Sequence, residues 1–413
     1  MRAVVGAVIS GAFLVFPQAP AHAAPAPDLA PAPDCQVARG VPGPIGESWA
    51  DRRLGFARVW PLTRGRGVTT AVIDSGADPS HPMLAGRVAR TVDLTGTGPS
   101  DCAGHGTGVA ALVGGRDLTG SGTRLTGVAP ESRLVVIKQQ NAERDEGGGA
   151  RLPKAVRSAV AAGAGVINIS IKAGDSPALA RAVQDAQSKD VVIVAAAGNA
   201  QKEGGDAGPA YPASYPGVIS VASLGPDGAR AESSGVQSRV DIAAPGKAVP
   251  TAWPGGGYNP QAEGTSYAAA YVTGVATLVR SRHPHLNQQQ VVNRILTTSD
   301  GNAGLGTGRG MVNPVQAVTA LVPGETDGGG PAPTIAPAAL APPRHTDERT
   351  RVIAFSISGV ALAAAALAVL IGVVTPMGRR RRWRPGRAVL TEPGLEEDLL
   401  LEAPAPTTIG APR

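Results

Sequence analysis

Aromatic residues are scarce, at 3% of a 413-residue chain, and cysteine occurs only twice. No stretch interleaves aromatics with a basic patch, so nucleic acid is excluded as a partner class. Charged residues are few, at 17%, but hydrophobic residues reach 43%, which rules out wholesale disorder and leaves ample material for a core. The formal net charge of +6 is local: the six arginines between Arg379 and Arg387 equal the whole excess and sit beside an apolar segment. No internal repeat is present. The 55 glycines and 37 prolines predict tight turns and Pro-rich tails around a core of small side chains. The length allows about two average domains, or one α/β domain of roughly 200–300 residues with tails.

Two apolar runs fix the predicted compartment. After Met1 and Arg2 comes an apolar stretch over 3–16, then Ala21-His22-Ala23. One positive charge, a short apolar run and an A-x-A site predict a signal peptide over 1–23, cleaved after Ala23. The second run, 352–374, has no charged residue and, as a helix rising about 1.5 Å per residue, spans a hydrocarbon core of roughly 30 Å. A transmembrane helix is therefore expected over 350–375. The arginines after it hold residues 376–413 in the cytoplasm and leave the rest outside the cell membrane. Cys35 and Cys102 both fall on the exported side, where an even count favours one disulfide over a catalytic thiol. On the chain-entropy account it stabilises the fold by ~4 kcal/mol.

Between these segments, 24–47 is a Pro/Ala-rich arm, 48–322 carries globular patterning and 323–349 is a Pro/Gly-rich linker. Short apolar runs at 68–73, 134–137, 166–171, 191–196, 218–221 and 240–243 suit parallel strands buried on both faces. Helical periodicity at 177–188 and at 288–298, the latter after an Asn287 cap, alternates with them. The fold class expected is a doubly wound, mainly parallel α/β sheet.

Three blocks each join one reactive residue to small neighbours. Ala71-Val72-Ile73-Asp74-Ser75-Gly76 ends a strand in a carboxylate, where α/β sheets place ligand sites. Gly104-His105-Gly106-Thr107-Gly108 opens a helix with a histidine, and Gly264-Thr265-Ser266-Tyr267-Ala268 opens another with a serine. Taken singly, a turn or a helix cap accounts for Asp74 and a helix cap for Ser266. Together they supply a weak nucleophile, an imidazole to take its proton and a carboxylate to orient the imidazole. The chain order Asp74, His105, Ser266 is that of the subtilisins, and the G-x-S-x-G elbow of lipase-type hydrolases is missing. A buried strand ending in Gly198-Asn199 offers an amide to a developing oxyanion. His283-Pro284-His285 has no Cys or carboxylate cluster around it, so no metal site is expected there, and no cofactor is expected anywhere.

These blocks resemble those of the subtilisin-like serine proteases over about residues 50–321. Gly127-Val128-Ala129-Pro130, Val166-Ile167-Asn168-Ile169-Ser170, Tyr211-Pro212-Ala213-Ser214-Tyr215-Pro216 and Gly310-Met311-Val312-Asn313-Pro314 extend the match. The resemblance implies Asp74 as orienter, His105 as general base then acid, Ser266 as nucleophile and Asn199 as oxyanion donor. It also implies Ser170, Ile171 and Lys172 as the substrate-binding strand. Signal, Cys-containing arm, protease domain, linker and single anchor together resemble the mycosins, the anchored proteases of type VII (ESX) secretion systems. That implies exported protein or peptide substrates and a membrane secretion complex as partner. The alternative is an assembly component of that complex with little proteolysis. Two departures stand out: Ala270 replaces a proline common in subtilases, and Lys172 replaces a glycine. Only 50 residues separate Ala24 from Asp74, too few for a folded propeptide, so an arm that wraps the domain is expected.

Overall fold

The computed structural model describes residues 37, 39–142, 148–200, 208–235, 237–301, 304–325 and 348–381. The predicted signal peptide, Cys35, most of the linker and the expected tail beyond residue 381 lie outside them. The chain divides into two compact units, Met1–Gly330 and Pro331–Arg413.

Seven parallel strands form the main sheet of the first unit. They are β1 (Thr69–Asp74), β2 (Val88–Asp93), β3 (Arg133–Lys138), β4 (Val166–Ile169), β5 (Val192–Ala196), β6 (Ile219–Leu224) and β7 (Ile242–Pro245), in the order β2-β3-β1-β4-β5-β6-β7. Successive side chains on a strand face opposite ways, and the core divides accordingly. Val72, Val136, Val166 and Val194 face one layer, containing α2 (His105–Gly114) and α5 (Thr265–Arg282). Ile73, Ile137, Ile167 and Ile193 face the other, with Leu152, Val156, Leu179 and Val183 of α3 (Gly148–Ala161) and α4 (Pro177–Ser188). Burial on both faces is why these strands read as unbroken apolar runs. Strand order reverses between β1 and β4, and the crevice outside their carboxyl ends is where such sheets take ligands.

The expected strands and helices are all present, with no end shifted by more than three residues. Helix α6 (Gln288–Thr297) begins with a reciprocal capping box between Asn287 and Gln290. Helix α5 runs unbroken through Ala270. Several elements go beyond the expectation. Strand β2 is a half-exposed edge carrying Arg90, so it lacks an apolar run. Helix α3 contains Pro153, and the antiparallel pair β8 (Val249–Trp253) and β9 (Gly257–Ala262) contains Pro250 and Pro260. In each, composition masks the periodicity.

The described part of the arm lies along this hairpin. Val41 exchanges two backbone hydrogen bonds with Tyr258, both 2.9 Å, and a Cβ on Gly40 would come within 2.6 Å of Trp253 Cβ. Ile45 accepts from Arg124 N at 2.9 Å. Just beyond, Ser48 caps α1 (Trp49–Leu54), which carries Asp51 against α5.

The Tyr271 hydroxyl of α5 donates to Asp51 Oδ1 at 3.1 Å. Burial pushes this carboxyl from 3.8 up to about 7, the Glu47 charge adds to the rise, and the Tyr271 hydrogen bond opposes it. A raised folded-state value means that the folded protein holds the proton more tightly. The stabilisation is complete below about pH 4 and is lost as pH rises through 7. Such a displacement corresponds to ~4 kcal/mol, which partial exposure of Asp51 reduces to roughly 2 kcal/mol. Asp51→Asn mimics the protonated acid. Its melting temperature, measured against the parent from pH 4 to 8, should gain about 5 °C across that window. Parallel curves would remove Asp51 as the titrating group.

The second unit contributes α8 (Glu348–Arg380), whose 26-residue stretch Phe355–Arg380 contains an 18-residue window with a mean hydropathy of 2.6. Its length and composition are sufficient to cross a bilayer.

Candidate active site

Asp74 ends β1, Ser170 follows β4 and Asn199 follows β5, so all three stand at the carboxyl edge of the sheet. Helices α2 and α5 start beside this edge and carry His105 as the first residue of one and Ser266 as the second of the other. The close approach depends on missing side chains. A Cβ on Gly106 would lie 2.2 Å from Gly76 O and 3.1 Å from Asp74 Cβ, and one on Gly104 would strike the Trp253 ring at 2.2 Å.

The first pair is in direct contact. His105 Nδ1 and Asp74 Oδ1 are 2.7 Å apart, with Asp74 fully buried and His105 nearly so. Asp74 Oδ1 also accepts the Ser75 backbone N–H at 2.8 Å, whereas its Oδ2 is buried with no hydrogen-bond partner among the described residues. The carboxylate is thus an acceptor under-supplied with donors, an environment that favours a neighbouring cation.

Ser266 is buried beneath the same crevice. Its Oγ donates to the Ser170 carbonyl at 3.3 Å, and Ser170 Oγ returns a bond to the Ser266 carbonyl at 3.2 Å. The ring of the next residue, Tyr267, lies 5.2 Å from that of His105, which sets the start of α5 beside the imidazole. A polar seam continues along α5. Asn168 Nδ2 donates to Ser170 Oγ at 2.8 Å, Thr273 Oγ1 donates to Asn168 Oδ1 at 2.8 Å, and the Thr70 and Thr277 hydroxyls meet at 2.9 Å.

Asn199 is oriented by its oxygen. Oδ1 accepts from Thr265 N at 2.9 Å and from Thr265 Oγ1 at 3.0 Å, so the amide nitrogen is directed away from the helix terminus. The donors on the oxygen side assign the amide's two ends. A Cβ on Gly264 would stand 3.4 Å from Asn199 Nδ2, so glycine keeps the space around that nitrogen open.

The expected substrate strand continues from β4. Ala173 exchanges backbone bonds with Tyr211 at 2.9 and 3.1 Å. Ile171 packs its side chain into the α3–α4 core. Lys172 is half-buried, and its Cδ would be 3.9 Å from a Cβ on Gly198, so its stem lies along the turn that leads to Asn199. Cys102 is nearly buried and is not a free thiol. The residues missed from sequence are Ser75, Asp101 and Thr107, which bond one another behind Asp74 and His105. An acid shortly before a helix-opening histidine is a capping signal that could have revealed Asp101.

Residues 65–325 match the Subtilase family of S8 peptidases. Mycosin-3 of Mycobacterium tuberculosis is 33% identical over an alignment covering 84% of this chain and 88% of the relative. The crystal structure of MycP1 with its N-terminal propeptide removed superposes with a TM-score of 0.60 at 32% identity, covering 68% of this chain and 100% of the other. The MycP3 protease from the type VII (ESX-3) secretion system gives a TM-score of 0.58 at 35% identity, covering 69% and 91%. The topology, the buried carboxylate–imidazole pair and these similarities lead to one assignment: this chain belongs to the subtilase family of serine endopeptidases, within the mycosin group.

Proposed function

We propose that the chain is a tethered extracytoplasmic endopeptidase that cleaves exported proteins through an acyl-enzyme on Ser266. The observation that carries this is the 2.7 Å contact between Asp74 and His105, beside the helix that presents the serine. Asp74 holds the imidazole with its proton on Nδ1, which leaves Nε2 to take the Ser266 proton as the hydroxyl attacks the peptide carbonyl. The under-supplied carboxylate stabilises the imidazolium that results. The Asn199 amide and the Ser266 backbone N–H receive the oxyanion, and the imidazolium then protonates the leaving amine. Water, deprotonated by His105, releases the acyl group.

Ser170 and Lys172 bind substrate beside the nucleophile, with Ile171 contributing through its main chain because its side chain is committed to the core. The Lys172 stem fills space along Gly198, so Lys172→Gly should broaden the residues accepted next to the cleavage site. Cleavage of a peptide library by the variant reads this directly, and an unchanged profile would remove Lys172 from specificity.

We take α8 as the anchor, with the arginines after it on the cytoplasmic side, and Cys102 as bridged to Cys35 so that the arm is tied near His105. The similar MycP3 structure comes from a type VII secretion system, and this chain's plan supports service in such a system. A rhodamine-tagged fluorophosphonate should label the full-length protein at Ser266. Labelling should vanish in Ser266→Ala and drop strongly in His105→Ala. Equal labelling of the parent and Ser266→Ala would defeat the proposal.

A further inference from the structure

The first N–H groups of α2 have no partners within the helix, and side chains from outside meet them. Asp101 is 1% exposed and accepts five hydrogen bonds. Its Oδ1 takes Ser75 Oγ at 2.8 Å, Gly104 N at 2.8 Å and Ala103 N at 3.1 Å. Its Oδ2 takes Thr107 N at 2.7 Å and Thr107 Oγ1 at 2.6 Å. Ser75 Oγ in turn accepts Gly106 N at 3.0 Å. Asp101 and Ser75 therefore hold the residues on both sides of His105.

The Ser75 hydroxyl has one proton and two carboxylates within reach. Asp101 Oδ1 is 2.8 Å away, and Asp74 Oδ1, the atom bonded to His105, is 3.2 Å away. The shorter contact takes the proton. Asp74 Oδ1 then has only the Ser75 N–H competing with His105 for its lone pairs.

We propose that Asp101 is a positioning residue for the reaction, drawing the Ser75 hydroxyl proton away from Asp74 so that Asp74 keeps its full basicity toward His105. The proposal rests on the acyl-enzyme route above. Other charged groups around this patch include Asp74 at the end of β1, Asp78, whose N–H donates to Thr107 Oγ1 at 3.0 Å, and Lys138 at the end of β3, whose Nζ donates to Ser100 O at 2.6 Å and which feels the charges of Asp93 and Asp101.

Neutralising Asp101 turns the Ser75 proton toward Asp74 Oδ1, weakens the carboxylate as an acceptor and makes the imidazole a poorer base. The test is the rate of fluorophosphonate inactivation of the full-length protein as a function of pH. Asp101→Asn should reduce the maximal inactivation rate about tenfold, with little change in the concentration for half-maximal rate. The acid limb of its pH profile should move down by about half a unit to one unit. In a Ser75→Ala background, where no hydroxyl proton can be redirected, Asp101→Asn should produce less than half of that displacement.

A residue that only caps α2 predicts a different result: a lower melting temperature and an unmoved profile, with the same effect in both backgrounds. That outcome overturns the proposal. Should Asp101→Asn fail to fold, Ser75→Ala alone decides, because removal of the hydroxyl should leave the acid limb in place or raise it, and a downward displacement refutes the scheme. A parent protein that reacts no faster than Ser266→Ala would defeat the acyl-enzyme route itself, and this proposal with it. A reactive parent with an unaltered Asp101→Asn profile defeats only the role of Asp101.

Discussion

Asp74→Asn should lower kcat/KM on a peptide substrate by about 10⁴ at neutral pH, nearly all of it in kcat. The cause is a change of proton position with little change of shape. A carboxylate accepts from His105 Nδ1, whereas an amide that turns its nitrogen to this site donates instead and drives the imidazole proton to Nε2. That nitrogen then has no lone pair for the Ser266 hydroxyl. Folding should change modestly, because the Ser75 N–H loses its acceptor at Oδ1 whereas an amide is cheaper to bury than a carboxylate. The measurements are kcat and KM normalised to folded protein, with a melting curve alongside. A loss of less than tenfold with an intact melting temperature would remove Asp74 from its assigned role.

Gly106→Ala should disable both the fold around the site and the chemistry. Helix propensity taken alone predicts the opposite, since alanine is about 1 kcal/mol better than glycine inside a helix. Sterics decide the outcome. The new methyl would sit 2.2 Å from Gly76 O and 3.1 Å from Asp74 Cβ, so α2 must retreat from the end of β1. Overpacking of this sort costs ~3 kcal/mol, more than the propensity gain. The retreat lengthens the contact between His105 and Asp74, and activity per folded molecule should fall by about 10²–10³. Gly120→Ala is the control, because a Cβ there meets nothing within 4 Å and should change neither quantity. A Gly106→Ala protein as active and as stable as its parent would show that α2 has room to adjust.

Much of this arrangement was legible in the sequence because strands buried on both faces need apolar residues at every position. Asp74 is conspicuous as the carboxylate that ends such a run, and Asn287 because a cap needs a short polar side chain before an amphipathic helix. Strand β2 was hidden by its half-exposed edge and the hairpin by its prolines. The pairing of Val41 with Tyr258 joins residues far apart in the chain through backbone groups alone, which leave no trace in side-chain pattern. The Asp101–Ser75 contact was hidden for a related reason. Each residue alone reads as an ordinary turn or cap, and their shared proton exists only once β1 and α2 are side by side.

The hydroxyl seam on α5 bears on how finely Ser266, the proposed nucleophile, is placed. Ser266, Ala270, Thr273 and Thr277 recur at helical spacing on one side of the helix, and three of the four hold directional bonds toward the sheet. Smooth alanine and valine surfaces let a cylinder settle at many axial offsets of similar energy. Acceptors at fixed points permit only one, as teeth do on a rack. The position of Ser266 Oγ, the attacking oxygen in the proposed reaction, is thereby referred to Thr70 and Thr277, about three turns away. Thr277 therefore acts as a distant datum for the Ser266 oxygen, and play introduced there would be felt at the start of α5.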